Sequence, residues 1–175
     1  MERVTLKNIK FSEWNSEETN CFQADVYFDN KKVGYCKNDG RGGSTYCSAY
    51  EGKSEIFNEM SLYCLNLPPI TMYGTEFKSD LETVVDLLFE KWLDAKFEKE
   101  IDMKRKKDFS KGLCFAKNKT DRSYQIMTFK KGNVALTIDD LVKDFSGRNY
   151  LRTVCAKKKE EGFVILNDNI PEKCL

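Results

Sequence analysis

The first third of the chain is built of short alternations. Val4, Leu6, Ile9 and Phe11 fall close to every second position, as in a strand that buries one face. Residues 21–28 (CFQADVYF) carry the β-branched and aromatic side chains that fit a pleated, half-buried surface. Asp29, Asn30, Lys31 and Lys32 make a polar turn, after which residues 32–37 return as a third strand. A glycine-rich stretch, residues 38–43 (NDGRGG), separates it from a further segment at 44–48. This third of the chain predicts an antiparallel meander.

The period then lengthens from two to 3.6. Ile56, Phe57, Met60, Cys64 and Leu67 share one face of a helix that Pro68 and Pro69 must end, because proline lacks an N–H and its ring collides with the preceding turn. Ser79, Asp80, Leu81 and Glu82 have the capping-box form, and Leu81, Val84, Val85, Leu88, Trp92 and Ala95 make the buried stripe of a second helix. In this register Leu88 and Trp92 are core residues. Continued to Phe109 the helix is about 45 Å long at 1.5 Å per residue. The stripe thins between Ala95 and Met103, which leaves room for a break.

After Gly112 the period returns to two. Residues 113–117, 123–129 and 133–136 read as strands, the last two joined by Lys130, Lys131 and Gly132. Thr137 suits the N-cap of a short helix through Phe145, with Asp139 and Asp140 as favourable charges in its first turn. Residues 150–161 form a last helix ended by Gly162, and the unbroken apolar run Phe163, Val164, Ile165, Leu166 predicts a closing strand buried on both faces. The expected fold class is α+β: two antiparallel β-meanders with a long central helix and further helices packed on the sheet. One domain, residues 1–175, is expected, and the single candidate for an internal boundary lies near Ser110, where pattern and charge change over.

Composition narrows the function classes. A chain of 175 residues with 41% hydrophobic content and three prolines buries enough apolar surface to offset the entropy of ordering, which excludes disorder except at the ends. No run approaches the ~18 consecutive apolar residues of a membrane helix, and Met1-Glu2-Arg3-Val4 leads into alternation rather than an apolar signal segment. A soluble, cytoplasmic protein without membrane contact is therefore expected. The seven cysteines are an odd number with no close pair, which argues against a zinc site and against a disulfide framework. Most thiols are expected reduced, those on helical faces such as Cys64 and Cys155 acting as small hydrophobes. The absence of histidine removes Ser-His and Cys-His nucleophile pairs, histidine bases and most zinc hydrolases. No catalytic residue, metal or cofactor is assigned.

Charge changes the picture more than composition does. The net charge is +1, yet residues 1–100 hold 12 Lys/Arg against 18 Asp/Glu, and residues 101–175 hold 17 against 10. This excludes a mimic of DNA that is acidic throughout and leaves a basic face in the second half. Lys104, Arg105, Lys106 and Lys107 form one cluster, Lys157, Lys158 and Lys159 another, and Lys130 and Lys131 stand in a turn. Phosphate neutralisation by a surface joining them would bind RNA or DNA with little sequence preference, and Phe109, Phe115, Tyr124, Phe129 and Tyr150 add rings for base stacking. The competing reading is a solvated face, with Lys157, Lys158 and Lys159 favoured anyway at a helix C-terminus.

A second candidate is the glycine-rich loop, where Lys37, Asn38, Asp39 and Arg41 stand among glycines able to turn backbone N–H groups toward a phosphate. It lacks the GK[ST] ending of a P-loop and the spacing of a dinucleotide fingerprint, so a hairpin loop with glycines at positive φ is the alternative. The adjacent acids Glu17-Glu18, Asp139-Asp140 and Glu160-Glu161 point apart in sequence and carry no catalytic assignment.

Through Gly34–Gly43, the segment Asn20-Cys21-Phe22-Gln23-Ala24-Asp25 and the ending Gly162-Phe163-Val164-Ile165-Leu166-Asn167, the chain resembles small uncharacterised accessory proteins carried by phages and other mobile elements of Bacteroidota. The resemblance covers most of the chain and transfers no catalytic residue. It implies a protein that acts by binding host machinery, inhibitors of CRISPR and other defence systems being one frequent class. The expectation is a non-enzymatic binding protein that engages a host protein or ribonucleoprotein complex, and possible RNA, through the basic C-terminal half. The alternatives are a small enzyme acting on a nucleotide or nucleic acid through residues 37–44, and a homo-oligomeric structural protein.

Overall fold

The computed structural model describes residues 2–72 and 74–175. It is α+β, and the chain divides into two compact units, Met1–Asp94 and Ala95–Leu175, so that the division falls inside the long helix rather than near residue 110.

In the first unit β1 (Val4–Ser12), β2 (Cys21–Phe28), β3 (Lys31–Asp39) and β4 (Tyr46–Ala49) form an antiparallel meander in chain order. The irregular spacing of the apolar residues in β1 has a local cause. Asn8 takes a left-handed φ of 53°, and the pairing with β2 slips between Lys7 and Lys10. This bulge inverts the parity of the strand, so that Phe11 joins Val4 and Leu6 on the side that faces Phe22, Val26 and Phe28. Asp29 and Asn30, both at positive φ, make the two-residue β2–β3 turn whose twist matches that of the strands.

Phe22, Ala24, Val26 and Phe28 are buried on one face of the sheet, and both helices of the unit lie against that face. Helix α1 (Ser54–Leu65) brings Met60 and Cys64, with Tyr63 at 5.7 Å from the Phe28 ring. A hairpin of β5 (Ile70–Met72) and β6 (Thr75–Phe77) follows, which the hydrophobic pattern does not disclose.

Helix α2 (Leu81–Phe109) follows. Its cap is Asp80, whose carboxylate accepts from the Thr83 N–H at 2.8 Å, whereas the Ser79 hydroxyl donates to the Pro68 carbonyl. The break foreseen between Ala95 and Met103 is absent. This stretch consists mostly of Lys, Glu and Asp, and good helix formers with a Lys96–Glu100 pair at 3.0 Å carry the helix through it. The buried stripe also differs from the expected one. Leu81, Val84, Val85, Phe89 and Leu93 are buried, Leu88 and Trp92 are half-buried, and Ala95 is exposed. Phe89 stacks on Phe22 at 3.9 Å and 12°, which makes it the centre of this interface.

In the second unit β7 (Gly112–Ala116), β8 (Gln125–Lys131), β9 (Val134–Leu136) and β10 (Val164–Ile165) are ordered β10-β7-β8-β9, all neighbours antiparallel. Leu113, Phe115 and Phe129 pack with Ile138 and Leu141 of α3 (Ile138–Lys143) and Leu151 and Cys155 of α4 (Phe145–Glu160). Thr137 caps α3 in a reciprocal box with Asp140. Helix α4 begins five residues earlier than the periodicity suggested, because the Asp144 carboxylate accepts from the Gly147 N–H at 2.6 Å and starts a turn there. The closing strand is two residues long and half-buried rather than buried on both faces, since it pairs with β7 at the edge of the sheet.

The residue that joins these parts is Asn167. It is 6% exposed; its carbonyl accepts from the Cys114 N–H at 2.6 Å, and its amide donates to the carbonyls of Phe109 and Gly112 and to Asn169. One side chain thus ties the end of α2, the start of β7 and the segment after β10. All seven cysteines are free thiols, and burial pushes Cys36 up to about 12 and Cys64 and Cys114 up to about 11. Among the described residues no helix is long and apolar enough to cross a membrane.

Candidate nucleic-acid interface and the glycine-rich loop

Lys104, Arg105, Lys106 and Lys107 occupy successive positions on α2, and at about 100° per residue they circle the helix instead of forming one face. Their fates differ. Arg105 is tied into the unit: its guanidinium donates to the Asp121 carbonyl, lies 3.6 Å from Asp102 and stands 5.8 Å from the Tyr124 ring centroid. Lys106 lines a depression of about 450 Å³ with Lys119, Asp102 and Asp168. Lys107 is exposed.

Lys104 turns the other way, into an open depression of about 650 Å³ that it shares with Asp108, Lys111, Arg122, Ser123, Tyr124, Ile126 and Thr128. The only carboxylate in that lining is Asp108, which accepts from Lys111 and from the Tyr124 hydroxyl, each at 2.8 Å. Those two bonds, Lys111 first, hold its carboxyl below the usual range. Burial, with Asp108 close by, pushes the Tyr124 phenol up to about 12. Arg122 is braced by Glu98 at 3.1 Å. The alternation of β8 sets Lys130 on the same side as Ile126 and Thr128, though outside the lining of this groove, and Lys131 on the other.

The third basic cluster stands elsewhere. Lys158 is half-buried, paired with Glu161 at 2.7 Å and seated over the rings of Phe115 at 4.8 Å and Phe163 at 5.5 Å. Lys159 donates to the Leu175 carbonyl at 2.5 Å, and Lys157 is exposed. None of the three lines the groove that holds Lys104. Lys111 and Arg122, which do, were not picked out in the sequence because each is an isolated cation. The signal that finds them is strand register, since the pairing of Gly112 with Thr128 brings the start of β7, just past the end of α2, beside the middle of β8.

The glycine-rich loop is organised inward. The carbonyl of Gly40 accepts from the N–H groups of Glu17, Glu18 and Thr19 at 3.0, 3.0 and 3.3 Å. The Gly40 N–H donates to the Asn38 side chain at 3.0 Å and the Gly42 N–H to the Thr19 hydroxyl at 3.3 Å. Asn38 in turn donates to Gly43 and Thr45, and Thr45 to Asp86 at 2.5 Å. Burial raises the Asp86 carboxyl above its ordinary range. Gly40 sits at φ 85°, and a Cβ there would lie 2.1 Å from the Asn15 carbonyl oxygen, so only glycine fits. The N–H groups of Gly40 and Gly42 are therefore spent within the chain, on Asn38 and on Thr19 of the β1–β2 connection. Lys37 and Asp39 share a depression of about 500 Å³ whose lining does not include the exposed Arg41. No protein-family model, no curated protein and no solved structure matches the chain.

Proposed function

We propose that this protein is a non-enzymatic binding protein that holds nucleic acid, free or within a ribonucleoprotein, in the basic groove of its second unit. One observation carries the reading: Lys104, Lys111 and Arg122 surround Tyr124 in an open depression whose single carboxylate is already engaged by Lys111 and Tyr124. Such a groove neutralises phosphates and places the half-buried Tyr124 beside them, and its openness suits a strand better than a small enclosed substrate. The inward-turned loop gives less support to a nucleotide-directed enzyme, because two of the N–H groups that would cradle a phosphate have partners within the chain. The resemblance to accessory proteins of mobile elements points the reading toward a nucleic-acid-guided defence complex of the host as the target, with inhibition as the outcome.

The test is a titration of the purified chain against short RNA and DNA at several salt concentrations, beside a variant carrying Lys104→Ala and Lys111→Ala. The wild type is expected to bind with steep salt dependence. The variant should bind more weakly, its log–log slope shallower by about 1.4 to 1.8 for two lost phosphate contacts. Equal affinity and slope in the two proteins would refute the groove as the interface.

A further inference from the structure

The first unit carries a second surface of different make. Both of its helices lie on the face that bears Phe22, Val26 and Phe28. Strand register assembles on the opposite face a set of residues that are scattered in sequence. Lys10 pairs with Gln23, Gln23 with Lys37 and Lys37 with Tyr46, so that one row crosses all four strands. The next row is Lys7, Asp25, Tyr35 and Ser48.

The tyrosines form a contiguous group. Tyr35 lies 6.1 Å from Tyr46 and 5.9 Å from Tyr50, ring centre to ring centre. Lysines stand over the rings, Lys37 at 5.6 Å from Tyr46, Lys32 at 4.8 Å from Tyr50 and Lys7 at 4.4 Å from Tyr27. Tyr46 is 51% exposed, its ring open to a ligand. Two depressions of about 500 and 280 Å³ lie along this face and share Lys10 and Gln23.

The distribution of charge selects the occupant. Residues 1–94 are net acidic by six, yet this face carries Lys7, Lys10, Lys32 and Lys37 against Asp25 and Asp39. Asp25 is moreover consumed within the face, since it accepts from Asn8 at 2.7 Å and Tyr50 at 2.5 Å and pairs with Lys32 at 2.9 Å. Four of the ten cations of an acidic unit, interleaved with rings on one face, complement a polyanion that also has flat faces to stack.

We infer that the solvent face of the β1–β4 sheet is a stacking platform for single-stranded nucleic acid, with bases on Tyr46 and Tyr35 and phosphates on Lys10 and Lys37. A duplex is not the fitting form, because its bases are already stacked on one another and offer no open π-face to Tyr46. The platform shares its ligand class with the reading above but none of its residues.

The experiment uses the full chain and a fluorescently labelled single-stranded oligo-U or oligo-dT, followed by anisotropy at several salt concentrations, with thermal melting to verify folding. Tyr46→Ala is expected to weaken binding about tenfold, within the range measured for loss of one stacked base, and to leave the salt slope unchanged. Tyr46→Trp should restore the affinity, because stacking needs the ring and not the hydroxyl. Lys10→Ala with Lys37→Ala should lower the slope by about 1.4. The groove variant Lys104→Ala with Lys111→Ala separates the two sites. Binding that falls in the sheet variants and survives in the groove variant supports the platform and refutes the groove. The reverse result refutes the platform alone, losses in both sets support two sites, and a wild type that binds no single strand, including one that captures a protein instead, overturns both.

Discussion

The two units solve the same architectural problem, a four-stranded antiparallel sheet with helices against it, and dispose of their charge in opposite ways. The first is acidic by six, yet Lys7, Lys10, Lys32 and Lys37, half of its lysines, gather on one face of the sheet among tyrosines. The second is basic by seven, yet part of that charge is consumed in the fold: Arg105 on Asp121, Lys158 on Glu161 and two aromatic rings, Lys159 on the terminal carbonyl. Net charge thus describes a unit poorly as a binding partner. What matters is which cations are left facing water, and on what side.

The contrast breaks most visibly in the interiors. Phe89→Ala should cost about 3–5 kcal/mol, because it empties the stack against Phe22, whereas the half-buried Leu88 and Trp92 should each cost clearly less. Chemical denaturation of the three variants ranks them, and a larger loss at Trp92 than at Phe89 would contradict the helical register. In the second unit the largest polar effect belongs to Asn167. Truncation to Ala takes the Asn167 partner from the Cys114 N–H and the Gly112 carbonyl, while the Phe109 carbonyl keeps the Asn169 amide, and a loss of about 2–4 kcal/mol is expected from the unmet hydrogen bonds.

A sharper test pairs neighbours on α2. Arg105→Ala should lower stability by about 1–2 kcal/mol, because it strips Asp121 and the Tyr124 ring of their partner, and change nucleic-acid affinity little in a folded sample. Lys104→Ala should do the opposite, leaving the melting curve within about 0.5 kcal/mol of wild type while lowering affinity and salt slope. The smallest effect concerns Asp86. Its folded-state carboxyl is raised by burial, so the native protein holds the proton over a range where the unfolded chain has released it. Native stability therefore declines as pH rises from the unfolded carboxylate value through the raised folded one. Asp86→Asn keeps an acceptor for Thr45, and it should flatten that decline and be the more stable form at neutral pH. Melting curves between pH 4 and 8 measure both.

How far the structure could be read from the chain varies with the length and regularity of the pattern. The residues of β2 alternate strictly, and its bounds coincide with those expected. In α2 the apolar residues Leu88, Phe89, Trp92 and Leu93 supply two overlapping stripes about 100° apart, and tertiary packing on Phe22 chooses the one containing Phe89. The β5–β6 hairpin has three-residue strands, too short for any period to register. The basic surfaces show the same limit in another form. A run such as Lys104 to Lys107 is conspicuous in sequence and disperses around a helix, whereas Arg122 meets Lys104 and Lys111, and Lys10 meets Lys37 and Tyr46, through strand register.

The position of Asn167 also orders events during synthesis. The first unit is complete in sequence by residue 94 and can fold while the ribosome is still adding residues to the second. β7 is completed later, because the side chain that receives the Cys114 N–H lies 53 residues downstream. Until residues 164–167 have emerged, the apolar strand that carries Leu113 and Phe115 has one edge without its partner, the kind of unpaired edge on which incompletely folded chains associate.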